Sequence, residues 1–291
     1  YQDGYTTAYT TAKTTYDTTQ GGKAGSADGL DGKPGADISK DTTAYQTAYT
    51  KAYTTGNNSY IADKKTGSGA GTTDGSAGGP AADLTGKSKG YQDGYTTAYT
   101  TAKTTYDTTQ GSKAGSADGL AGKPDADISK ETTAYQTAYT KAYTTGNNSY
   151  NDDKTTGSKA GKLAGSAGNP IGDLTGKSKG YQDGYNSGYT TGKGSYDLDE
   201  IAGTTAGATA GANDKQPVDL KDKSAGYSKG YQTGYTAGTK AYANQKDQGT
   251  IDGTKAGLAG QVPANVKGQP QGYQDGYATA YATGKVNYDK D

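Results

Sequence analysis

Tyrosine is the residue type in this chain whose number and spacing could support a binding function. The 291 residues include 28 Tyr but no Phe, Trp, Met, Cys or His. Exposed rows of tyrosine rings can stack on sugars, whereas rings that share one stripe of a helix with small residues usually pack in a core. We favour packing, because every ring lies on one such stripe.

The sequence gives little support for catalytic, cofactor or metal chemistry. Without His and Cys the chain has neither the usual general base nor a thiol nucleophile. The acidic clusters at 151–153 and 197–200 lack the alternate ligands and closing Glu of a calcium loop. The GK[ST] tripeptides at 86–88 and 176–178 lack the first Gly of a phosphate loop, since Ala81 and Ile171 stand there. We therefore predict a protein that is not an enzyme and needs no cofactor.

The charged residues predict neither a nucleic-acid partner nor a membrane span. The 30 basic and 30 acidic residues are interspersed and give a net charge of zero, so the basic patch of a nucleic-acid binder is missing. No stretch approaches the run of about 18 apolar residues that a membrane helix needs.

The tyrosines follow one template, with rings at positions 1, 5, 9 and 16, that recurs seven times. The first copy is Tyr1, Tyr5, Tyr9 and Tyr16, and the last is Tyr273, Tyr277, Tyr281 and Tyr288. A period of about 46 residues is typical of repeat proteins, in which neighbouring repeats stabilise one another. We divide the chain into repeats 1–44, 45–90, 91–134, 135–180, 181–226 and 227–272, with a terminal half repeat at 273–291.

The template offsets predict a helix. At about 100° per residue the four rings fall within an arc of about 80°, and template positions 4, 8 and 12 on that arc are Ala or Gly in every copy. Large rings beside small residues suit packing of ridges into grooves. Two capping residues compete at the start of the second to sixth helices: an Asx such as Asp37, or a Thr or Ser such as Thr42.

The linkers between the tyrosine sets carry GxxxG, as at Gly161 and Gly165. We interpret each linker as a short helix whose glycine strip lets another helix or a tyrosine ring approach the backbone closely. Each tyrosine helix, of about 20 residues, should end near a Gly such as Gly157. The predicted fold is an all-α helical-hairpin tandem repeat, solenoid-like or filament-forming, with seven tyrosine-striped helices and shorter GxxxG helices between them. Extended glycine-rich linkers are the alternative.

Tyr91-Gln-Asp-Gly-Tyr95 with Tyr99, preceded by Asp83-Leu-Thr-Gly-Lys-Ser, resembles the YxxGYxxxY helical repeats in surface proteins of lactic-acid bacteria and related Gram-positive bacteria. The resemblance covers nearly the whole chain and implies secretion, with attachment to or assembly at the cell surface. No LPxTG-like sorting motif or export signal is found. The chain starts on the first template tyrosine and stops soon after the seventh set, so we expect a piece of a longer precursor.

The leading hypothesis is a secreted repetitive structural protein, the subunit of an extracellular filament or a cell-surface stalk. Uncapped repeat ends predict head-to-tail self-assembly, in which the last tyrosine set meets the first repeat. The residues of this contact would be Tyr273, Tyr277, Tyr281 and Tyr288 against Tyr1, Tyr5, Tyr9 and Tyr16. The alternatives are an adhesin that binds cell-wall or biofilm polysaccharide and, with less support, an ice-binding protein with Thr- and Ala-rich helices.

Overall fold

The computed structural model describes residues 1–290, which form seven α-helices and no strand. In chain order the helices are α1 (Gln2–Leu30), α2 (Thr43–Ala77), α3 (Lys89–Leu120), α4 (Thr133–Ser166), α5 (Lys179–Ala212), α6 (Ala225–Leu258) and α7 (Gln271–Tyr288). The prediction of an all-α tandem repeat is confirmed, since every helix carries one tyrosine set.

Each repeat contains one long helix, so the predicted hairpin of a long and a short helix is wrong. The first six helices are 29 to 35 residues long, and each GxxxG sequence lies in the second half of the same helix. Gly157 likewise lies inside α4. A glycine inside a helix costs up to about 1 kcal/mol relative to Ala, and the packing of these glycines against the next helix offsets that cost.

Three names describe the parts of each repeat. The tyrosine half is the part of a helix through its fourth tyrosine, which is 43–60 in α2. The glycine half is the remainder, which is 61–77 in α2. The return segment connects one helix to the next, as 31–42 does between α1 and α2.

The glycine half of one helix lies beside the tyrosine half of the next, and the two run parallel. Gly21, Gly25 and Gly29 of α1 face the backbone of Tyr45, Tyr49 and Tyr53 in turn, so the pairs advance together along both helices. Neighbouring helices therefore overlap by about half their length.

The return segment runs back along the tyrosine half of the helix that follows it. Lys33 meets the hydroxyl of Tyr53 and Ala36 meets that of Tyr49, while Ile38 meets the side chain of Gln46. This order is antiparallel to α2. The tyrosine face is thus covered by a glycine half on one side and a return segment on the other.

The Thr or Ser three residues before the first tyrosine caps each of α2 to α6, and the Asx residue does not; α7 has Pro270 at this position and no side-chain cap. Thr42 Oγ1 accepts a hydrogen bond from the Tyr45 backbone N–H at 3.3 Å, and Ser178 does the same for Tyr181 at 3.2 Å. Asp37 instead accepts the backbone N–H of Ser39, two residues on, as an Asx turn does. The Asx residue therefore shapes the turn before the helix.

The helices belong to two compact units. The first unit comprises residues 1–119 and 123–146, and the second comprises 120–122 and the residues from 147 onward. The first unit contains α1, α2, nearly all of α3 and the start of α4, and the second contains the rest of α4 with α5, α6 and α7.

Candidate functional site: the helix seams and the exposed face of α1

Backbone lies against backbone where a glycine half meets a tyrosine half, which we call a seam. A Cβ placed on Gly67 would lie 2.1 Å from the carbonyl oxygen of Tyr91, and one on Gly71 would lie 2.3 Å from that of Tyr95. Real side chains do not tolerate such distances, so only glycine fits. The prediction of close approach at Gly161 and Gly165 is confirmed, with distances of 2.0 Å and 2.4 Å to the oxygens of Tyr185 and Tyr189.

The tyrosine half contributes small residues to the same seam. A Cβ on Gly94 would lie 2.0 Å from the carbonyl oxygen of Lys64, and one on Gly184 would lie 1.9 Å from that of Lys154. These glycines occupy template position 4, where the sequence predicts a groove of small residues. Close approach of this kind permits Cα–H···O contacts between helices and makes the two sides of each seam complementary in shape.

The first three rings of each covered tyrosine set form a stack over the seam. Tyr91, Tyr95 and Tyr99 have centroid separations of 6.3 and 5.8 Å, within the range of favourable aromatic pairs. The middle ring is the most buried, with 1% of Tyr95 exposed. These stacks are the main apolar contacts, since aliphatic side chains such as Leu163 and Ile251 are mostly exposed.

The hydroxyl of the middle tyrosine joins three parts of the fold. Tyr95 donates to Asp74 in the glycine half of α2 at 2.7 Å and accepts from the backbone N–H of Ala82 in the return segment at 2.8 Å. Tyr49 makes the same pair of bonds with Asp28 and Ala36. Burial raises the pKa of both phenols, and the neighbouring carboxylate adds to the rise.

The third tyrosine of each set after the first holds the start of the return segment. Its hydroxyl donates to a backbone carbonyl 20 residues earlier, as in Tyr99 to Gly79 at 2.7 Å and Tyr281 to Gln261 at 2.7 Å. The phenol groups are therefore hydrogen-bonded even though their rings are covered.

The fourth tyrosine lies against the residue that ends the preceding helix. Gly78 ends α2 with a φ of 76°, and a Cβ there would lie 2.3 Å from the Tyr106 ring. In the fifth return segment Asp214 takes the left-handed conformation, with a φ of 52°. A hydrogen bond to Asp275, together with burial, raises the pKa of Tyr242 to about 12.

Two aspartates are buried at seams and tie a cap to the preceding helix. Asp17 accepts hydrogen bonds from Lys13 and from the capping Thr42, both at 2.9 Å. Asp107 has the corresponding bonds with Lys103 and Thr132. The Lys13 and Thr42 hydrogen bonds hold the pKa of Asp17 below its usual value.

The tyrosine face of α1 is uncovered within the described residues. Residues 1–20 are identical in sequence to 91–110, yet Tyr5 is 71% exposed where Tyr95 is 1% exposed. Gly4, the counterpart of Gly94, has nothing near its Cβ position. Tyr1, Tyr9 and Tyr16 are also exposed. The same surface is therefore present twice, once buried and once free.

The tyrosines of α7 are already in use within the chain, which corrects the predicted end-to-end contact. Tyr277 is 5% exposed, and its backbone oxygen lies 2.4 Å from a Cβ placed on Gly253 of α6. Tyr273 and Tyr281 are half-buried and Tyr288 is 50% exposed. These rings pack against α6. The two faces that were predicted to meet therefore differ: the tyrosine face of α1 is free, and that of α7 is already covered by α6.

The sequence reasoning missed the aspartates that bond the tyrosine hydroxyls. Asp28, Asp74 and Asp118 bond the middle tyrosine, and Asp93, Asp183 and Asp275 bond the fourth tyrosine of the preceding set. The Asp-Gly pairs inside four glycine halves, and the Asp at template position 3, were the available signals.

Comparison of the chain with protein-family models, with curated proteins and with solved structures finds no match in any of the three. Among residues 1–290, no helix has the length and apolar character that crossing a bilayer requires. The same residues contain no cluster of three or more acidic side chains placed to bind a metal ion.

Proposed function

We propose that this chain is a non-enzymatic structural protein, secreted and serving as a cell-surface stalk or as the subunit of an extracellular filament. The observation that carries the proposal is that each of α2 to α6 packs its tyrosine half against the preceding helix and its glycine half against the following one. Repeats joined in this way extend by addition of further repeats. The resemblance to Gram-positive surface repeats supports the assignment to the cell surface.

The hydrogen bonds that hold the return segments suit a role in bearing mechanical load. Each return segment is held by two phenol hydroxyls, as 78–88 is by Tyr95 and Tyr99. A pull along the chain would have to break these bonds together with the backbone contacts of the glycine half. Several bonds that share a load resist force better than the same bonds broken singly.

Negative-stain microscopy across a range of protein concentrations tests the proposal. Fibres that lengthen with concentration support a filament subunit, and separate short rods of constant length support a stalk. Compact globular particles at every concentration would contradict both forms of the structural proposal.

An adhesin that binds polysaccharide is the second candidate function, and the exposed face of α1 favours it. Tyr5 and Tyr9 are stacked with centroids 6.4 Å apart, which offers a platform on which sugar rings can stack. The other tyrosine sets are covered, so this function would depend on α1. A glycan array probed with the native chain and with Tyr5→Ala/Tyr9→Ala tests it: the proposal requires binding that the double variant loses.

A further inference from the structure

The exposed tyrosine face of α1 has a partner whose chemistry can be read from α3. Residues 91–110 repeat the sequence of 1–20, and in α3 this surface is covered by the glycine half and return segment of residues 61–88. Gly67, Gly71 and Gly75 pack against the tyrosine backbone, and Asp74 and Ala82 bond the middle hydroxyl. Because residues 1–20 have the same sequence as 91–110, the tyrosine face of α1 has the same shape and hydrogen-bonding groups as that of α3.

The described chain has no free element of that kind. The glycine halves of α1 to α6 each carry the next tyrosine half, and the described part of α7 is a tyrosine half alone. A partner for α1 must therefore come from outside the seams that the structure already contains.

We propose that the tyrosine half of α1 is a docking surface for the glycine half and return segment of another repeat of this type. The partner is a helix with Gly at three positions spaced four apart, an Asp one residue before the third Gly, and a left-handed residue at its end. This inference rests on the proposed structural role, since it supplies a contact by which a further repeat adds to the array.

The decisive experiment gives the full chain a free glycine half. In a donor chain, residues 289–291 are replaced by a copy of residues 61–88, so that Tyr288 precedes the copy as Tyr60 precedes the original. The donor also carries Tyr5→Lys and Tyr9→Lys, which prevent it from binding itself. Mixed with the native chain, it should form a one-to-one complex in sedimentation-velocity measurements.

Matched variants of the native chain locate the contact. Tyr5→Lys/Tyr9→Lys should weaken the complex by about tenfold or more, because it buries charge without a partner. Thr6→Lys/Thr10→Lys adds the same charges to exposed positions and should leave binding unchanged. A donor with Leu at the copied positions of Gly67 and Gly71 should fail to bind, since those side chains have no room at a seam.

Absence of a complex between the donor and the native chain overturns the inference, as does equal binding to both lysine variants. These outcomes are separate from failure of the proposed function, which depends on the particles that the native chain forms by itself. Fibres of native protein without a donor complex would place the fibre contact at another surface. Loss of glycan binding in the Tyr5 and Tyr9 variants, again without a donor complex, would assign the face to polysaccharide.

Discussion

Tyrosine forms most of the core of this fold, because its ring packs between helices while its hydroxyl forms hydrogen bonds. The ring of Tyr95 is buried between two helices and a return segment, while its hydroxyl bonds Asp74 and the Ala82 backbone. Phenylalanine could replace the ring and leave those two groups unsatisfied. We therefore expect the stability of each seam to depend on the hydroxyl oxygen of its middle tyrosine.

Tyr95→Phe should lower the free energy of unfolding by about 1–3 kcal/mol, because the half-buried Asp74 carboxylate and the Ala82 backbone N–H lose their hydrogen bonds to the buried hydroxyl. Tyr5→Phe is the matched control, since its surroundings in sequence are identical and its side chain is exposed; it should leave stability unchanged. Chemical denaturation followed by circular dichroism compares the two. Equal midpoints for both variants would mean that the hydroxyl bonds add nothing.

The buried phenols should also make the fold sensitive to alkali. The folded-state pKa is raised by burial in Tyr49, Tyr95 and Tyr139 and to about 12 in Tyr242 by Asp275. A raised pKa contributes stability that is fully present below the unfolded value of about 10 and is lost as pH rises through the folded value. The melting temperature should therefore stay constant up to a pH of about 10 and fall steeply as the pH approaches about 12. A melting temperature that stays constant across that range would contradict the role of these groups.

At the scale of the helices, glycine is the deciding residue, because the glycine half of each long helix is stabilised by its contact with the next helix. A helix half with Gly at every fourth position is a poor helix by itself. It forms here because a Cβ at positions such as Gly71 would collide with the backbone of the next helix, and without a Cβ the two helices can lie in direct contact. Low helix propensity disfavours glycine at these positions, whereas packing between the helices requires it, and the packing contribution is the larger at the seam.

Two glycines of α2 separate these effects in a single helix. Gly71→Ala should destabilise the chain by about 1–3 kcal/mol, since its methyl group would lie 2.3 Å from the Tyr95 oxygen. Gly69→Ala should stabilise it by up to about 1 kcal/mol, because nothing lies within 4 Å of the new Cβ and alanine favours the helix. Thermal melts of the two variants should move in opposite directions. Stabilisation by both substitutions would show that helix propensity, not the seam, controls stability, and destabilisation by both would contradict the open space at Gly69.

At the scale of the whole molecule, the tyrosine sets differ in what covers them. The sets of α2 to α6 are buried or half-buried, the set of α7 is covered except at Tyr288, and that of α1 is exposed throughout. The free face is thus confined to one helix of the first unit.

Chemical modification should detect that asymmetry. Brief nitration followed by peptide mapping should modify Tyr1, Tyr5, Tyr9 and Tyr16 well before Tyr49, Tyr95, Tyr139, Tyr185, Tyr231 and Tyr277, because the second group is at most 8% exposed. Unfolding in denaturant is the control and should make all rings react alike. Equal reaction of Tyr5 and Tyr95 in the folded chain would contradict the coverage of α3 by α2.

The amino-acid sequence by itself determined the repeat, the helical tyrosine stripe, the small residues beside it and the need for close approach at GxxxG. These follow from spacing alone, since a helix brings residues four apart onto one face. Gly161 and Gly165 were identified in this way, and the structure confirms their close contacts.

Tertiary structure alone decided where each helix ends and what each face meets. Gly157 was predicted to end a helix because glycine weakens helices locally, but its contact with the Tyr181 backbone lies in another repeat. The capping residue Thr42 also bonds Asp17, 25 residues earlier, and the different states of α1 and α7 likewise depend on neighbours far away in sequence. Local patterns record which residues share a face, whereas the partner of that face is set by packing between repeats.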